Sequence, residues 1–300
     1  MTDSLINPSP RRLGPYEVGP LALGCWRLTT DVVDDARALV ETALDLGMNL
    51  VDNADVYGFD WGGSGFGANE ELLGRVLASA PGLRDRMVLA TKGGIAPPTP
   101  YDSSAAYLEA ACDASLRRLQ TEVIDLYQIH RPDLLAHPAD VAATLSRLRE
   151  KGKIREVGLS NHTPAQHEAL AAHLPFALVT TQPEYSAATL APLRDGTFDL
   201  CMRDGIVPLA WSPLAGGRLL TDDGIRPELG ALLDRLAIRE GVDRAAICIA
   251  FVLAHPSRPV AILGTQTPAR LESSTAALGV HLDRADVYAV VQASEGVPLP

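Results

Sequence analysis

The chain has 300 residues, 47% of them hydrophobic, and 26 basic against 37 acidic side chains give it a formal net charge of −11. That length suits one (β/α)8 barrel of roughly 250 residues plus insertions, and no Pro- or Ser-rich linker divides it, so residues 1–300 read as a single domain. The acidic balance argues against nucleic acid as the main partner, because phosphate contact needs a basic face, and no apolar stretch approaches the ~20 residues that span a bilayer.

In chain order, residues 1–13 lack the apolar core of a signal peptide. Gly14-Pro15 and Gly19-Pro20 then punctuate short apolar pieces between Leu13 and Leu23, which predicts a small hairpin closing the barrel floor. Eight apolar runs follow: Leu21 to Gly24, Asn49 to Asp52, Met87 to Thr91, Ile124 to Ile129, Ile154 to Leu159, Leu178 to Gln182, Ile206 to Trp211 and Pro259 to Leu263. At or just behind their ends stand Trp26, Asp52, Lys92, His130, Ser160 with Asn161, Gln182, Trp211 with Ser212, and Gly264 with Thr265. Amphipathic stretches separate most runs. Ala36, Leu39, Val40 and Ala43 form one helical stripe; Leu108, Ala111, Cys112, Ser115, Leu116 and Leu119 form another, with Glu109, Arg117 and Arg118 turned outward. Gly47, Gly152 and Gly205 each stop a helix just before a new apolar run. Strand, polar tip, helix is the order of an α/β (β/α)8 TIM barrel, here with an N-terminal hairpin and a C-terminal helical extension. No fixed-period repeat suggests a solenoid. Cys25, Cys112, Cys201 and Cys248 form no CxxC pair and read as reduced thiols, so the expected compartment is the cytoplasm.

The tips carry chemistry. Asp52, Tyr57, Lys92 and His130 fall at three successive strand ends, which a parallel barrel brings together over its mouth. A phenol, an ammonium, a carboxylate and an imidazole suit carbonyl reduction. Tyr57 can give a proton to the developing alkoxide, Lys92 is expected to lower the phenol's pKa, Asp52 to hold the ammonium, and His130 to direct the substrate oxygen. A lysine at a strand tip also fits a Schiff-base aldolase. His130 with His162 offers no metal-ligand spacing, and no metal is expected. Gly63-Ser64-Gly65-Phe66-Gly67 resembles a phosphate loop, but no strand runs directly into it and Lys92 stands where an acidic residue would close the next strand, so a Rossmann assignment fails. It reads instead as a flexible loop carrying Phe59, Trp61 and Phe66 to the mouth, where Trp26 and Trp211 join them. Trp26, Phe59 and Trp61 are the expected substrate wall.

Several segments together carry a family resemblance. Leu50 to Gly58 resembles the Asp-Thr-Ala-x-x-Tyr-Gly signature of the aldo-keto reductases, with Asn53 where threonine is commoner. Asp125 to Asp133, Val157 to Asn161, Thr181 to Ser186, Trp211 to Gly216 and Ile262 to Glu272 match the same family in order. The resemblance covers essentially the whole chain and is strongest to bacterial members with an Ile-His-Arg-Pro-Asp segment. It implies a catalytic tetrad of Asp52, Tyr57, Lys92 and His130, and a nicotinamide cofactor bound without a Rossmann fold. Ser160, Asn161 and Gln182 suit the carboxamide, Trp211 the nicotinamide face, and Ser212, Leu214, Gly216 and Arg218 the pyrophosphate turn. Gly264, Thr265, Gln266, Arg270 and Ser274 would line the far phosphate. Arg270 favours NADPH, with uncharged Gly264 and Gln266 leaving NADH an option. The substrate is then a small carbonyl compound, without a nucleic-acid or membrane partner, and oligomeric state is open. A slow cofactor-binding sensor of the same fold and a lysine-dependent aldolase are the alternatives.

Overall fold

A computed structural model of the protein describes residues 4–299. An antiparallel hairpin, β1 (Arg11–Leu13) and β2 (Tyr16–Val18), precedes eight parallel strands. These are β3 (Leu21–Gly24), β4 (Leu50–Asp52), β5 (Val88–Gly93), β6 (Ile124–Ile129), β7 (Ile154–Ser160), β8 (Thr180–Gln182), β9 (Val207–Ala210) and β10 (Val260–Leu263). They close in sequence order, β10 pairing with β3. The helices are α1 (Val33–Asp45), α2 (Ala68–Ser79), α3 (Ala105–Leu119), α4 (Pro138–Glu150), α5 (Pro164–Ala171), α6 (Thr197–Asp204), α7 (Arg218–Thr221), α8 (Pro227–Glu240), α9 (Arg244–Leu253), α10 (Pro268–Ser274) and α11 (Arg284–Glu295). The fold is thus the (β/α)8 barrel with an N-terminal hairpin, and α11 is the C-terminal extension. Arg239 of α8 grips Asp286 of α11 with two hydrogen bonds of 2.7 and 2.8 Å.

Local chemistry sets these boundaries. Thr163 and Asp283 form capping boxes with Gln166 and Asp286, and Ser104 and Asp243 accept hydrogen bonds at the starts of α3 and α9. Gly47, Gly152 and Gly205 follow α1, α4 and α6 with φ of 78°, 72° and 68°, the left-handed geometry a β-carbon disfavours. Along each strand, alternate side chains face the barrel interior. Leu13 and Val18 of the hairpin pack with Ala22, Leu50, Val88, Ala90, Leu126, Leu209 and Val260 into one apolar plug. The hairpin therefore closes the floor by burying its own apolar side against the strand beginnings.

Two expectations need correction. The third and fifth strands run on through Lys92, Gly93 and Ser160, so Lys92 and Ser160 are held by strand backbone and are more rigid than loop residues. Arg118 does not turn outward, because its guanidinium reaches back to the fully buried carboxylate of Glu70 at 2.6 Å.

Candidate active site

The register of β4, β5 and β6 builds the centre. Asp52 pairs with Ala90, and Lys92 with Gln128, so one step of pleat brings Asp52, Lys92 and His130 to the same end of the barrel. Lys92 is completely buried. Its Nζ donates to Asp52 Oδ2 at 2.7 Å, to the Asn53 carbonyl at 2.8 Å and to Tyr57 Oη at 3.2 Å, which uses all three ammonium hydrogens. The same nitrogen lies 5.0 Å from the Tyr57 ring centre, and the Tyr57 and His130 rings meet edge to face at 5.7 Å. The four residues read from the sequence are thus neighbours around one phenol.

Electrostatics sorts their protonation. Burial works against charge on Lys92, but attraction to Asp52 and then to Tyr57 outweighs it and holds the ammonium above its ordinary value. His130 is pushed well below the usual range by burial, with Lys92 and Arg131 adding to the effect, so its imidazole is neutral. Tyr57 departs from expectation. Burial raises the phenol's pKa, and the attraction of Lys92 offsets only part of that rise, so the net shift is upward and the hydroxyl keeps its proton at neutral pH.

Beside this centre, three strand tips form a chain of polar groups. Trp211 Nε1 donates to Asn161 Oδ1 at 3.0 Å; Asn161 Nδ2 donates to Ser160 Oγ at 2.7 Å and to the His130 carbonyl at 3.4 Å; Ser160 Oγ donates to the Gln182 carbonyl at 3.3 Å. Gln182 Nε2 and His130 Nδ1 are buried without a partner among the described residues, so each has a hydrogen-bonding position to spare. Past β9, Ser212, Ala215, Gly216 and Gly217 all have positive φ, curling the backbone into a tight turn. Within it Ser212 Oγ accepts from the Gly216 N–H at 2.8 Å, Arg218 Nε donates to the Ala215 carbonyl, and Leu214 packs on the core. Past β10, Gly264 has open space where a β-carbon would stand, and Arg270 is exposed with no ion pair among the described residues. Other residues of that segment are already engaged: Thr265 Oγ1 accepts from the Thr267 N–H, Gln266 Nε2 donates to Thr29 Oγ1 at 3.3 Å, and Ser274 Oγ donates to the Arg270 carbonyl at 2.6 Å. Next to the seven-residue α10, the fixed positive charge on this side is that of Arg270.

The aromatic wall is real in part. Trp26 and Trp61 stack at 4.8 Å, bringing the β3 loop against the loop before α2, and the Arg27 guanidinium lies 5.7 and 5.0 Å from their ring centres. Phe59 is half exposed in the same loop. Phe66, expected at the mouth, instead lies beside Arg118 of α3, 5.8 Å from its guanidinium.

A family model described as the aldo/keto reductase family matches residues 20–295. The chain belongs to that family. It is 48% identical over 305 residues to a 6-dehydroglucose reductase of Novosphingobium aromaticivorans, covering 100% of each chain. It is 34% identical to a 6-dehydroglucose reductase of Agrobacterium fabrum, covering 89% of this chain and 91% of that one. Among solved structures, the glycerol dehydrogenase of Gluconobacter oxydans superposes with a TM-score of 0.83 at 27% identity, covering 98% of both chains.

Two residues of this aldo/keto reductase's site, Gln128 and Asn69, escaped the sequence reading. Gln128 Nε2 donates to Asp52 Oδ1 at 3.3 Å while its Oε1 accepts from Thr180 Oγ1 at 3.3 Å, so the carboxylate oxygen not used by Lys92 is also held. The signal was present: Gln128 is a polar residue two positions before His130, on the inward face of a strand whose other residues there are apolar. Asn69 has no such signal, because it joins the site only through the packing of α2. Among the described residues, no group of three or more His, Cys, Asp or Glu is placed to hold a metal ion, and no helix is long and apolar enough to cross a membrane.

Proposed function

We propose that this oxidoreductase reduces an aldehyde or ketone to the alcohol with NADPH, and that Tyr57 is the general acid. The observation that carries the reading is the triple commitment of the buried Lys92 ammonium to Asp52, Asn53 and the Tyr57 hydroxyl. When bound, the reduced nicotinamide supplies the hydride to the carbonyl carbon. The chain supplies the proton: Tyr57 Oη gives it to the carbonyl oxygen, and Lys92 at 3.2 Å stabilises the phenolate left behind. Neutral His130 fixes the direction of that oxygen. The unpartnered Gln182 Nε2, with Ser160 and Asn161, would hold the carboxamide; Trp211 would take the ring; the Ser212–Gly217 turn and Arg218 would take the pyrophosphate; Arg270 would favour the extra phosphate of NADPH, with NADH bound more weakly.

Two observations weigh against the alternatives. An aldolase lysine must be a free amine, whereas Lys92 is fully committed and its pKa is raised. A sensor needs no acid, yet all four tetrad groups are assembled. For the substrate we infer a carbonyl-bearing sugar such as 6-dehydroglucose, because relatives at 48% and 34% identity carry that name and the Trp26–Trp61 pair offers flat apolar surface to a ring. Four buried, unpaired cysteines suit the cytoplasm. Loss of NADPH absorbance with 6-dehydroglucose and with a panel of simple aldehydes tests both levels. Turnover of simple aldehydes alone removes the sugar; no turnover of any carbonyl removes the reductase.

A further inference from the structure

The first turn of α2 lies outside the tetrad, yet one of its residues bonds to three parts of the mouth, to one through its side chain and to two through its backbone. Asn69 is 1% exposed. Its Nδ2 donates to the carbonyls of Cys25 at 2.7 Å and of Trp26 at 3.1 Å, so both amide hydrogens hold the loop that carries the tryptophan wall. Its own N–H donates to the Tyr57 carbonyl at 3.4 Å. Its carbonyl accepts from Asn53 Nδ2 at 3.2 Å, and the Asn53 carbonyl in turn accepts from Lys92. Gly58, the residue after Tyr57, has a φ of 96°, and a β-carbon there would meet Ala68, the Gly65 carbonyl and Asn69 Oδ1 within 2.9 Å, so only glycine lets the chain behind the phenol pass this close to α2. The neighbouring Glu70 pins the same turn to the strand of Lys92, accepting from Thr91 Oγ1 at 2.5 Å and from Arg118 Nε at 2.7 Å.

We propose that Asn69 is a positioning residue that sets the Trp26 wall relative to the Tyr57 hydroxyl, so that substrate discrimination is transmitted through one buried amide. The proposal rests on the reading of Tyr57 as acid and Trp26 as substrate wall. Truncation leaves the Trp26 carbonyl without its donor and the Cys25 carbonyl with the Leu28 N–H alone, and a displacement of about 1 Å at the reacting centre costs roughly 100-fold in rate. Substrates that lean on Trp26 suffer first. Small aldehydes that never reach the wall suffer less.

The test compares kcat/KM for benzaldehyde with that for propanal in wild type, Asn69→Asp, Asn69→Ser, Trp26→Ala and the combined variants. Asn69→Asp keeps the volume but loses both N–H donors, and Asn69→Ser is the second variant should the first not fold. The expected result is a fall of about 10-fold in the benzaldehyde-to-propanal ratio for either Asn69 variant, with little further change when it is added to Trp26→Ala, as for residues in direct contact. NADPH affinity, read by tryptophan fluorescence, should stay within about 2-fold, since a cycle confined to the wall leaves the cofactor side alone. Equal losses on both aldehydes, or additive losses in the combined variant, overturn the proposal in favour of plain support of the fold. Failure of the underlying reading shows separately, as an undiminished rate in Tyr57→Phe.

Discussion

The two ends of the barrel are made from the same eight strands and differ in almost every physical respect. At the floor, Leu13 and Val18 seal an apolar plug, and the buried guanidinium of Arg11 donates through Nε and Nη1 to the carbonyls of Arg258, Pro259, Asn7 and Ser9, with Nη2 left without a partner among the described residues. Burial, with Arg258 beside it, lowers that guanidinium to about 10. At the mouth an ammonium and a carboxylate are buried against each other; left-handed backbone at non-glycine residues occurs at both ends, at Asn161, Ser212 and Ala215 here and at Gln120 and Arg258 at the floor. His130 Nδ1 and Gln182 Nε2 wait without partners, and two tryptophans stand in solvent. Stability is concentrated at one end and reactivity at the other, which lets loops at the mouth vary without unpacking the plug.

The strongest way to break this contrast is at the acid. Tyr57→Phe should lower carbonyl reduction by about 10²- to 10⁴-fold while NADPH affinity and melting temperature hold near wild type. Steady-state rates beside a thermal melt decide it, and more than half of wild-type turnover with chemistry rate-limiting would remove Tyr57 from the role. Lys92→Met belongs with it: the ammonium opposes the upward push of burial on the phenol, so its loss should raise the phenol's pKa further and move the alkaline limb of the pH–rate profile upward. An unmoved limb would make Lys92 purely structural.

Leu13→Ala probes the opposite end. Removing a fully buried floor residue should cost about 2–5 kcal/mol of unfolding free energy in denaturant titration, with kcat and KM unchanged at a temperature where the protein stays folded. A kinetic defect of the folded variant would show that the floor is not independent of the mouth. Arg270→Ala is smaller. One charge-assisted hydrogen bond is worth about 1.5–3 kcal/mol, so NADPH should weaken roughly 10- to 150-fold and NADH scarcely at all, as followed by tryptophan quenching. Equal losses for both cofactors would mean that Arg270 reads no phosphate.

The smallest effect is on acid stability. Burial lowers His162, whose Nδ1 donates to the Ser160 carbonyl at 2.9 Å, to about 4. Its folded-state pKa lies below that of the unfolded chain, so the unfolded state binds the proton first and stability falls as pH drops from about 6.5 toward 4. A melting temperature lower by about 2–4 °C is expected for each kcal/mol lost, and His162→Gln should flatten the slope; an equally steep slope would assign it elsewhere.

Much of the site was legible because its chemistry-bearing residues follow apolar runs, and parallel register converts that order into neighbourhood. Asp52, Lys92 and His130 needed no more than strand order and a pleat of period two. Phe66 was misread because a loop residue's direction depends on which partner it meets, here Arg118 of α3. Gln266 Nε2 donates to Thr29 Oγ1, a residue 237 positions away, and no local pattern announces that contact.

The sequence by itself determined the barrel, the hairpin at its floor and which four polar residues gather at its mouth, since hydrophobic period, glycine stops and polar tips are local properties that repeat along the chain. Only the tertiary structure decided the rest. The sign of the Tyr57 shift is a contest between burial and the Lys92 charge, and neither depth nor a distance of 3.2 Å is written in a local pattern. The same holds for Gln128 bracing Asp52 and for Asn69 joining Trp26 to Tyr57: these hydrogen bonds join residues 76, 43 and 12 positions apart in the chain, and only packing brings their atoms within reach.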